Sequence, residues 1–347
     1  MSAPRLEIDL GKIEHNARVL VERLAGHGIS VTGVTKAGLG SADIANAMLR
    51  GGASGLGDSR VANIETMRSA GIIAPMTLIR SPMLSEVDRV VRAADTSFNT
   101  ELVVITALSA AAGRAGRLHE VVLMVELGDL REGIMPRDLE DTARAVLRLP
   151  GISLAGIGAN LACHGGVAPD ASNMAELSTL ADSVERALDI RLALVSGGNS
   201  ANLDWALSGT DTGRINHLRL GEAILLGCEP LYRKAIRGLH QDAITLVAEV
   251  IESKIKPARP WGTMAQTAFG PAPAVTHSGD ISRAILAVGH QDVDPAGLQA
   301  PDGIAILGAS GDHLIVHSAG APPAVGDELR FGLNYSALVR AMTSPFV

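Results

Sequence analysis

Short apolar runs rich in β-branched residues alternate with longer stretches of helical periodicity from the N-terminus to about residue 225. The runs centre on residues 31–35, 55–58, 76–79, 96–99, 121–126, 154–158, 192–196 and 217–220, and each but the last is followed by a helical stretch such as 41–50, 101–112 or 174–188. This alternation predicts βαβ units on a parallel sheet. Eight strands in this length predict a closed (β/α)8 barrel of the TIM type, with a doubly wound open sheet as the other arrangement the pattern permits.

After residue 225 the rhythm changes. Residues 243–252, 282–288, 304–307 and 312–317 read as strands separated by Gly, Pro and Asp turns. Residues 326–333 (GDELRFGL) alternate polar and apolar side chains like a half-buried strand. The expected organisation is a barrel over residues 1–235 and a C-terminal, mostly-β domain over residues 236–347. A polar linker containing Tyr232 lies near the boundary.

Composition narrows the function classes. With hydrophobic residues at 47% and charged residues at 19%, the chain has ample apolar surface to bury and is not of the disordered type. The net charge of -7 and the lack of any Lys/Arg run argue against nucleic acid as a partner. Two cysteines, Cys163 and Cys228, cannot build a disulfide framework, and MSAPRLEIDL enters an alternating strand with no basic and apolar leader. The expected compartment is the cytoplasm. No apolar stretch reaches the roughly 18 residues of a membrane span, so no membrane partner is expected.

In a parallel barrel, polar groups with work to do collect at the C-terminal ends of the strands. Lys36 ends the first run (GVTKAG) and Arg80 the third (LIRSP), while Arg131 follows the fifth (ELGDLREG). Asn160 and Cys163 follow the sixth (GANLACHGG), SGGNSAN continues the seventh, and Arg219 lies in the eighth (HLRLGEA). A strand-end lysine commonly snorkels to solvent. One that is desolvated beside other cations has a lowered pKa and can attack an aldehyde. The run from Ser196 reads either as a glycine turn with Ser200 capping a helix or as an anion cradle. In the second reading Gly197 and Gly198 allow close backbone approach, Asn199 and Ser200 donate, and a helix N-terminus faces the anion. Lysine, cradle and arginine at one barrel mouth say more together than any of them alone.

The segments LEIDLGKIEHN, GVTKA, GLGDSRVANIE, GIGANLACHGG, SGGNSANL, HLRLGEAILLG, AILAVGHQDVDPAGL, ILGASGDH and AMTSPFV, spread almost end to end, carry a resemblance. The chain resembles the alanine racemase family of fold type III pyridoxal-phosphate enzymes, and most of all its ornithine racemase branch. The resemblance implies an amino-acid racemase, an isomerase, that takes ornithine or another basic amino acid. It implies a covalent link between pyridoxal 5'-phosphate and Lys36, and a phosphate held by Ser200, the backbone of Gly221 and Glu222, and Tyr335. Arg219 is expected to face the pyridine nitrogen, and Arg131 to lie near the cofactor oxygen and the substrate carboxylate. Asn160, Ser196, Gly198 and Asn199 complete the expected cofactor-binding set. A guanidinium at the ring nitrogen only donates, which keeps that nitrogen unprotonated and the ring a weaker electron sink, suiting reprotonation at Cα. A homodimer, each β domain capping the partner's barrel, is also implied.

Two other members of this wider group are alternatives. A non-catalytic pyridoxal-phosphate carrier shares the barrel and lysine but lacks the β domain. A lyase of the D-threonine aldolase kind adds a divalent metal, for which His290, Asp292, Asp312 and His313 would be the candidates. The preferred reading of these four is scattered loop residues, with no metal. Asp292, Asp294 and Asp312 are candidates for pairing with a distal substrate amine.

The chain also departs from the family pattern. KAGLGSA lacks the tyrosine that usually follows the cofactor lysine, and Phe269 in QTAFG stands where the second-face tyrosine base is expected. A phenyl ring carries no proton. The second base is therefore sought among Cys163, His290, Asp312, His313 and a water, since thiols titrate near 8.5 and imidazoles near 6.5.

Overall fold

A computed structural model of the protein describes residues 2–270 and 278–347. It divides into two compact units, Leu10–His240 on one side and the first nine residues with Gln241–Val347 on the other. Strand β1 (Arg5–Ile8) belongs to the second unit, because it pairs antiparallel with residues 244–247. The domain division expected from the sequence assigns it to the barrel instead. Its local alternation is right for a strand, but the choice of partner is made by a segment more than 200 residues away.

The first unit is a closed barrel of β2 (Ser30–Val34), β3 (Gly55–Asp58), β4 (Met76–Leu78), β5 (Thr96–Asn99), β6 (His119–Val125), β7 (Ile152–Ala159), β8 (Leu194–Gly198) and β9 (His217–Leu220). All eight run parallel, and β9 closes on β2 with Ser30 opposite His217 and Gly33 opposite Leu220. That pairing removes the open-sheet alternative. The strands are apolar on both faces because helices cover the outside and side chains fill the inside; in β6 only Glu120 is exposed. Phe98, Val122 and Met124 are buried together. Gly156 is needed where β7 meets β8, since a Cβ there would come 1.8 Å from the Leu194 carbonyl oxygen.

The helices form where the sequence supplies caps and an apolar stripe. Ser41 accepts from the Ile44 amide at the start of Ala42–Arg50, which buries Ile44, Ala45, Ala47 and Met48. Asp170 and Asn173 form a reciprocal capping box at the start of Ala171–Leu188.

The second unit is an antiparallel sheet built from β10 (Ile244–Pro257), β11 (Asp280–Leu286), β12 (Leu298–Gln299), β13 (Ile304–Ala309), β14 (Leu314–Ser318) and β15 (Glu328–Leu333). The order is β12-β15-β10-β11-β14-β13, with β1 on β10. Strand β10 is longer than the sequence pattern predicts. Its second half, with Glu252, Ser253, Lys254 and Lys256, is too polar to read as a strand, and it is ordered by pairing with β11 after a bulge between Val250 and Glu252. A C-terminal helix, Tyr335–Thr343, starts at Asn334, whose side chain accepts from the Ala337 amide at 2.9 Å.

Two histidines are buried in the barrel unit. His119 hydrogen-bonds Ser97 at 2.8 Å and is pushed down to about 4; His217 is pushed down to about 3, from an ordinary 6.5. Burial is the first cause in both, and Arg117 and Arg219 respectively add to it. Between pH 6.5 and these values the unfolded chain binds more protons than the folded one. This contribution to stability is complete above pH 6.5 and is lost on acidification, at about 1.4 kcal/mol per pH unit per histidine. Urea unfolding at pH 7 and pH 5 should therefore show a larger loss for the wild type than for a His119→Asn, His217→Asn variant. Equal losses would mean that the two rings do not stay neutral in the fold.

Candidate active site

Strand β2 runs into Thr35, whose amide bonds the Gly57 carbonyl at 2.9 Å and whose hydroxyl donates to Asp58 at 2.7 Å. The next residue is Lys36. It opens a single 3-10 turn, Lys36–Gly38, and its side chain is half-buried. The Lys36 ammonium is held below the usual lysine range, first by burial. The nearby Cys163 and Asp58 oppose this, while Arg131 and Arg219 reinforce it. Lys36, Arg131, Cys163 and Arg219, four of the residues singled out from the sequence, thus share one electrostatic environment at the C-terminal ends of the strands.

Asp58, within GLGDSRVANIE, belongs to the same group, although the resemblance implies no role for it. Wholly buried, it also accepts from the Arg60 amide (2.9 Å) and Asn63 (3.0 Å), and burial still pushes its carboxyl up. A carboxylate closing an otherwise apolar strand, GLGD, is the signal that could have found it. Such a residue is costly unless bonded, and here it fixes the turn that presents Lys36.

Arg219 is buried on β9 and its pKa is lowered to about 10, burial being the main cause. Its guanidinium donates to Ser196, to the Ala159 carbonyl (2.8 Å) and to Asn160 Oδ1 (3.4 Å), and it lies 4.9 Å from the centre of the Phe98 ring. Among the described residues no carboxylate pairs with it.

The segment after β8 is tightly made. Gly198 has φ +150, and a Cβ there would meet Asn202 Oδ1 at 2.1 Å. Asn199, rather than Ser200, caps the short helical turn by accepting from Ala201 at 2.8 Å. Asn199 Nδ2 also reaches Asn160 Oδ1 (3.1 Å), the Leu161 carbonyl (3.0 Å) and Cys163 Sγ (3.5 Å). Ser200 Oγ accepts from the Ala223 amide at 3.2 Å, which brings it to Gly221 and Glu222 at the end of β9. Glu222 is half-buried, pairs with Arg233, and has its carboxyl raised first by burial.

Cys163 is exposed on the loop after β7. Asp129, itself buried, holds that loop by accepting from the amides of Cys163 (3.3 Å), His164 (3.0 Å) and Val167 (3.3 Å). Ala162, just before the thiol, sits at φ 61, a left-handed conformation that an alanine adopts only at some cost. Arg131 is two residues beyond Asp129 and pairs with Glu132. This interlocking of the loops after β6 and β7 leaves no mark in the sequence, where nothing distinguishes an inward-turned Asp129 from a solvated one.

Arg80, after β4, lies 3.9 Å from Glu86 in the barrel unit, and the remaining candidates lie in the β unit. His290 stacks on Phe269 with ring centres 4.2 Å apart, Asp312 accepts from His313 at 2.6 Å, and Tyr335 begins the last helix. Asp292 is buried and accepts from Gly289 and Ser344, while Asp294 accepts from Ala296 and Ser336. Those two carboxylates are committed to loop and helix structure. Among the described residues no three His, Cys, Asp or Glu side chains gather as metal ligands.

The barrel residues fit pyridoxal phosphate on their own chemistry. Asn160 has its Oδ1 engaged by two donors, which fixes the amide, and its buried Nδ2 has no partner among the described residues. An orphan donor and a carboxylate-free guanidinium call for an acceptor-rich, anionic group. A desolvated amine beside them is suited to an aldehyde.

Fold and site together define a parallel-barrel protein with a lysine at the end of the first barrel strand and a buried arginine in the last. The chain belongs to the family described as "Alanine racemase, N-terminal domain", whose pattern matches residues 8–230. Among its relatives, an ornithine racemase of Acetoanaerobium sticklandii is 36% identical over 99% of this chain and 98% of its own. A lysine racemase of Thermotoga maritima is also 36% identical, over 100% of this chain and 98% of its own. In fold the chain is similar to the alanine racemase of Streptomyces coelicolor, with a TM-score of 0.77 and 18% identity over 98% of this chain and 96% of that one. It is similar as well to a D-threonine aldolase of Filomicrobium marinum, with a TM-score of 0.76 and 17% identity over 99% and 89%.

Proposed function

We infer that this chain is a pyridoxal-phosphate-dependent racemase that interconverts the enantiomers of a basic amino acid. The observation that carries the reading is the Lys36 amine, lowered in pKa by burial and set among Arg131, Arg219 and Cys163 at one strand-end face. When bound, the cofactor supplies an aldehyde for the amine and an electron sink that acidifies the substrate Cα–H.

The chain's own residues do the rest. Lys36 would hold the cofactor and would handle the proton on one face of the substrate Cα. Arg131 would bind the substrate carboxylate through the donors that Glu132 leaves unused. Arg219 would donate at the ring nitrogen, with Ser196 and Asn160 fixing its direction. Ser200, Asn199, and the backbone of Gly221 and Glu222 would serve the phosphate. Cys163 handles the proton on the second face: it is exposed, it is close enough to Lys36, Arg131 and Arg219 for their charges to be felt, and Asp129 fixes its loop. His290, stacked on the phenyl ring that replaces the family tyrosine, is the next candidate; Asp312 is engaged with His313. The assembly we propose is a homodimer. The location we propose is the cytoplasm. No helix among the described residues is long and apolar enough to cross a membrane.

Incubation of the cofactor-loaded protein with L-ornithine and L-lysine should yield the D-enantiomers on chiral chromatography, with L-alanine turned over more slowly. Bound cofactor without any D-product from these substrates would overturn the racemase reading.

A further inference from the structure

Arg219 is tied to a hydrogen-bond chain that lies beneath it. The guanidinium donates to Ser196 Oγ; Ser196 Oγ is 2.8 Å from His217 Nδ1; His217 Nε2 is 2.8 Å from Thr32 Oγ1. All four residues are buried, at 4%, 0%, 6% and 6% exposure for Arg219, Ser196, His217 and Thr32. They come from β9, β8, β9 and β2, so the chain crosses the barrel seam.

The directions of these bonds are set by what each group can do. A guanidinium has no acceptor, so Ser196 must accept from Arg219. The one hydroxyl proton of Ser196 then needs an acceptor in a dry interior, and the ring nitrogen at 2.8 Å is the partner the geometry provides. That makes Nδ1 the bare nitrogen and Nε2 the protonated one, donating to Thr32. The reverse tautomer would leave Ser196 accepting twice with its own proton stranded. A doubly protonated ring would do the same beside a buried cation, and burial together with Arg219 holds His217 neutral.

We propose that His217 is a positioning residue for Arg219: as the neutral Nε2–H tautomer it takes the Ser196 proton, turns the Ser196 lone pairs to the guanidinium, and so fixes the direction in which Arg219 donates. Its link to racemisation rests on the reading of Arg219 given above; the tautomer and the bond directions do not.

Neutron diffraction from the deuterated protein without added cofactor tests the chain directly. A deuteron is expected on His217 Nε2 and on Ser196 Oγ pointing at Nδ1, and a deuteron on Nδ1 would overturn the proposal even if the protein is a racemase. The second arm compares His217→Leu with His217→Asn, whose amide oxygen can stand in for Nδ1. With cofactor bound, His217→Leu should lower kcat by about 10-fold or more, the low end of what supporting partners contribute around metal ligands, with KM changed by less than about 3-fold. His217→Asn should restore kcat to within about 3-fold of wild type. If the two variants lose kcat alike, His217 only fills space. If the neutron result holds while the wild type racemises nothing, the functional reading has failed and the chain of bonds has not.

Discussion

Replacing Lys36 with alanine is expected to abolish both covalent cofactor binding and racemisation. Wild-type protein loaded with pyridoxal phosphate should be yellow, and borohydride should fix the cofactor irreversibly to one peptide, the one that contains Lys36. The expected loss in turnover is at least 10,000-fold, on the order of the combined effect of a lost nucleophile and a lost general base. Charge matters at Lys36 as much as position does. An amine with an ordinary pKa is almost wholly protonated at neutral pH and cannot attack a carbonyl; at Lys36, burial and the nearby Arg131 and Arg219 favour the neutral form. Peptide mapping decides the matter. An adduct on another lysine, or none in the wild type, removes the basis of the functional reading.

The second large effect is expected at Cys163 and is asymmetric. Racemisation needs one proton-handling group on each face of Cα, so loss of one should leave exchange from one enantiomer intact. In deuterated water, Cys163→Ala should exchange the Cα proton of one enantiomer at close to the wild-type rate and that of the other about 100-fold more slowly, the general-base range. Lys36 accounts for the face that survives. The placement behind this prediction is specific: Asn199 Nδ2 lies 3.5 Å from the sulfur, and Asp129 anchors the loop through three backbone amides. A Cys163→Ala protein that exchanges both enantiomers like the wild type eliminates the thiol. The second base would then be sought at His290, stacked on Phe269.

Much of the fold is legible in the order of residues along the chain. The eight barrel strands stand out because each is a short apolar run between helical stretches, and burial on both faces leaves that signature. The residues at the barrel mouth stand out for a related reason: in parallel barrels, strand ends converge, so polar residues that end apolar runs are candidates by position alone. Lys36, Arg131, Cys163 and Arg219 are found in this way. Asp58 satisfies the same rule, while Asp129 and His217 lie beyond its reach. Asp129 reads as one more acidic loop residue until its three amide partners are seen, and His217 reads as an ordinary polar position in HLRL until its neighbours turn out to be Ser196 and Thr32.

By itself, then, the sequence determined the kind and order of most elements, the change from βαβ alternation to a β-rich stretch after the barrel, and the identity of the chemically able side chains. These follow from local sterics and from the spacing of apolar residues, both of which operate over a few residues. Only the tertiary structure decided that β9 closes on β2, that β1 joins the β unit, and that the polar second half of β10 is a strand. It alone decided that Lys36 is desolvated, that Arg219 meets no carboxylate among the described residues, and which way the Ser196 proton points. Pairing partners, burial and the fields of other charges are supplied by segments far apart in the chain, and a pKa or a hydrogen-bond direction exists only once those segments have met.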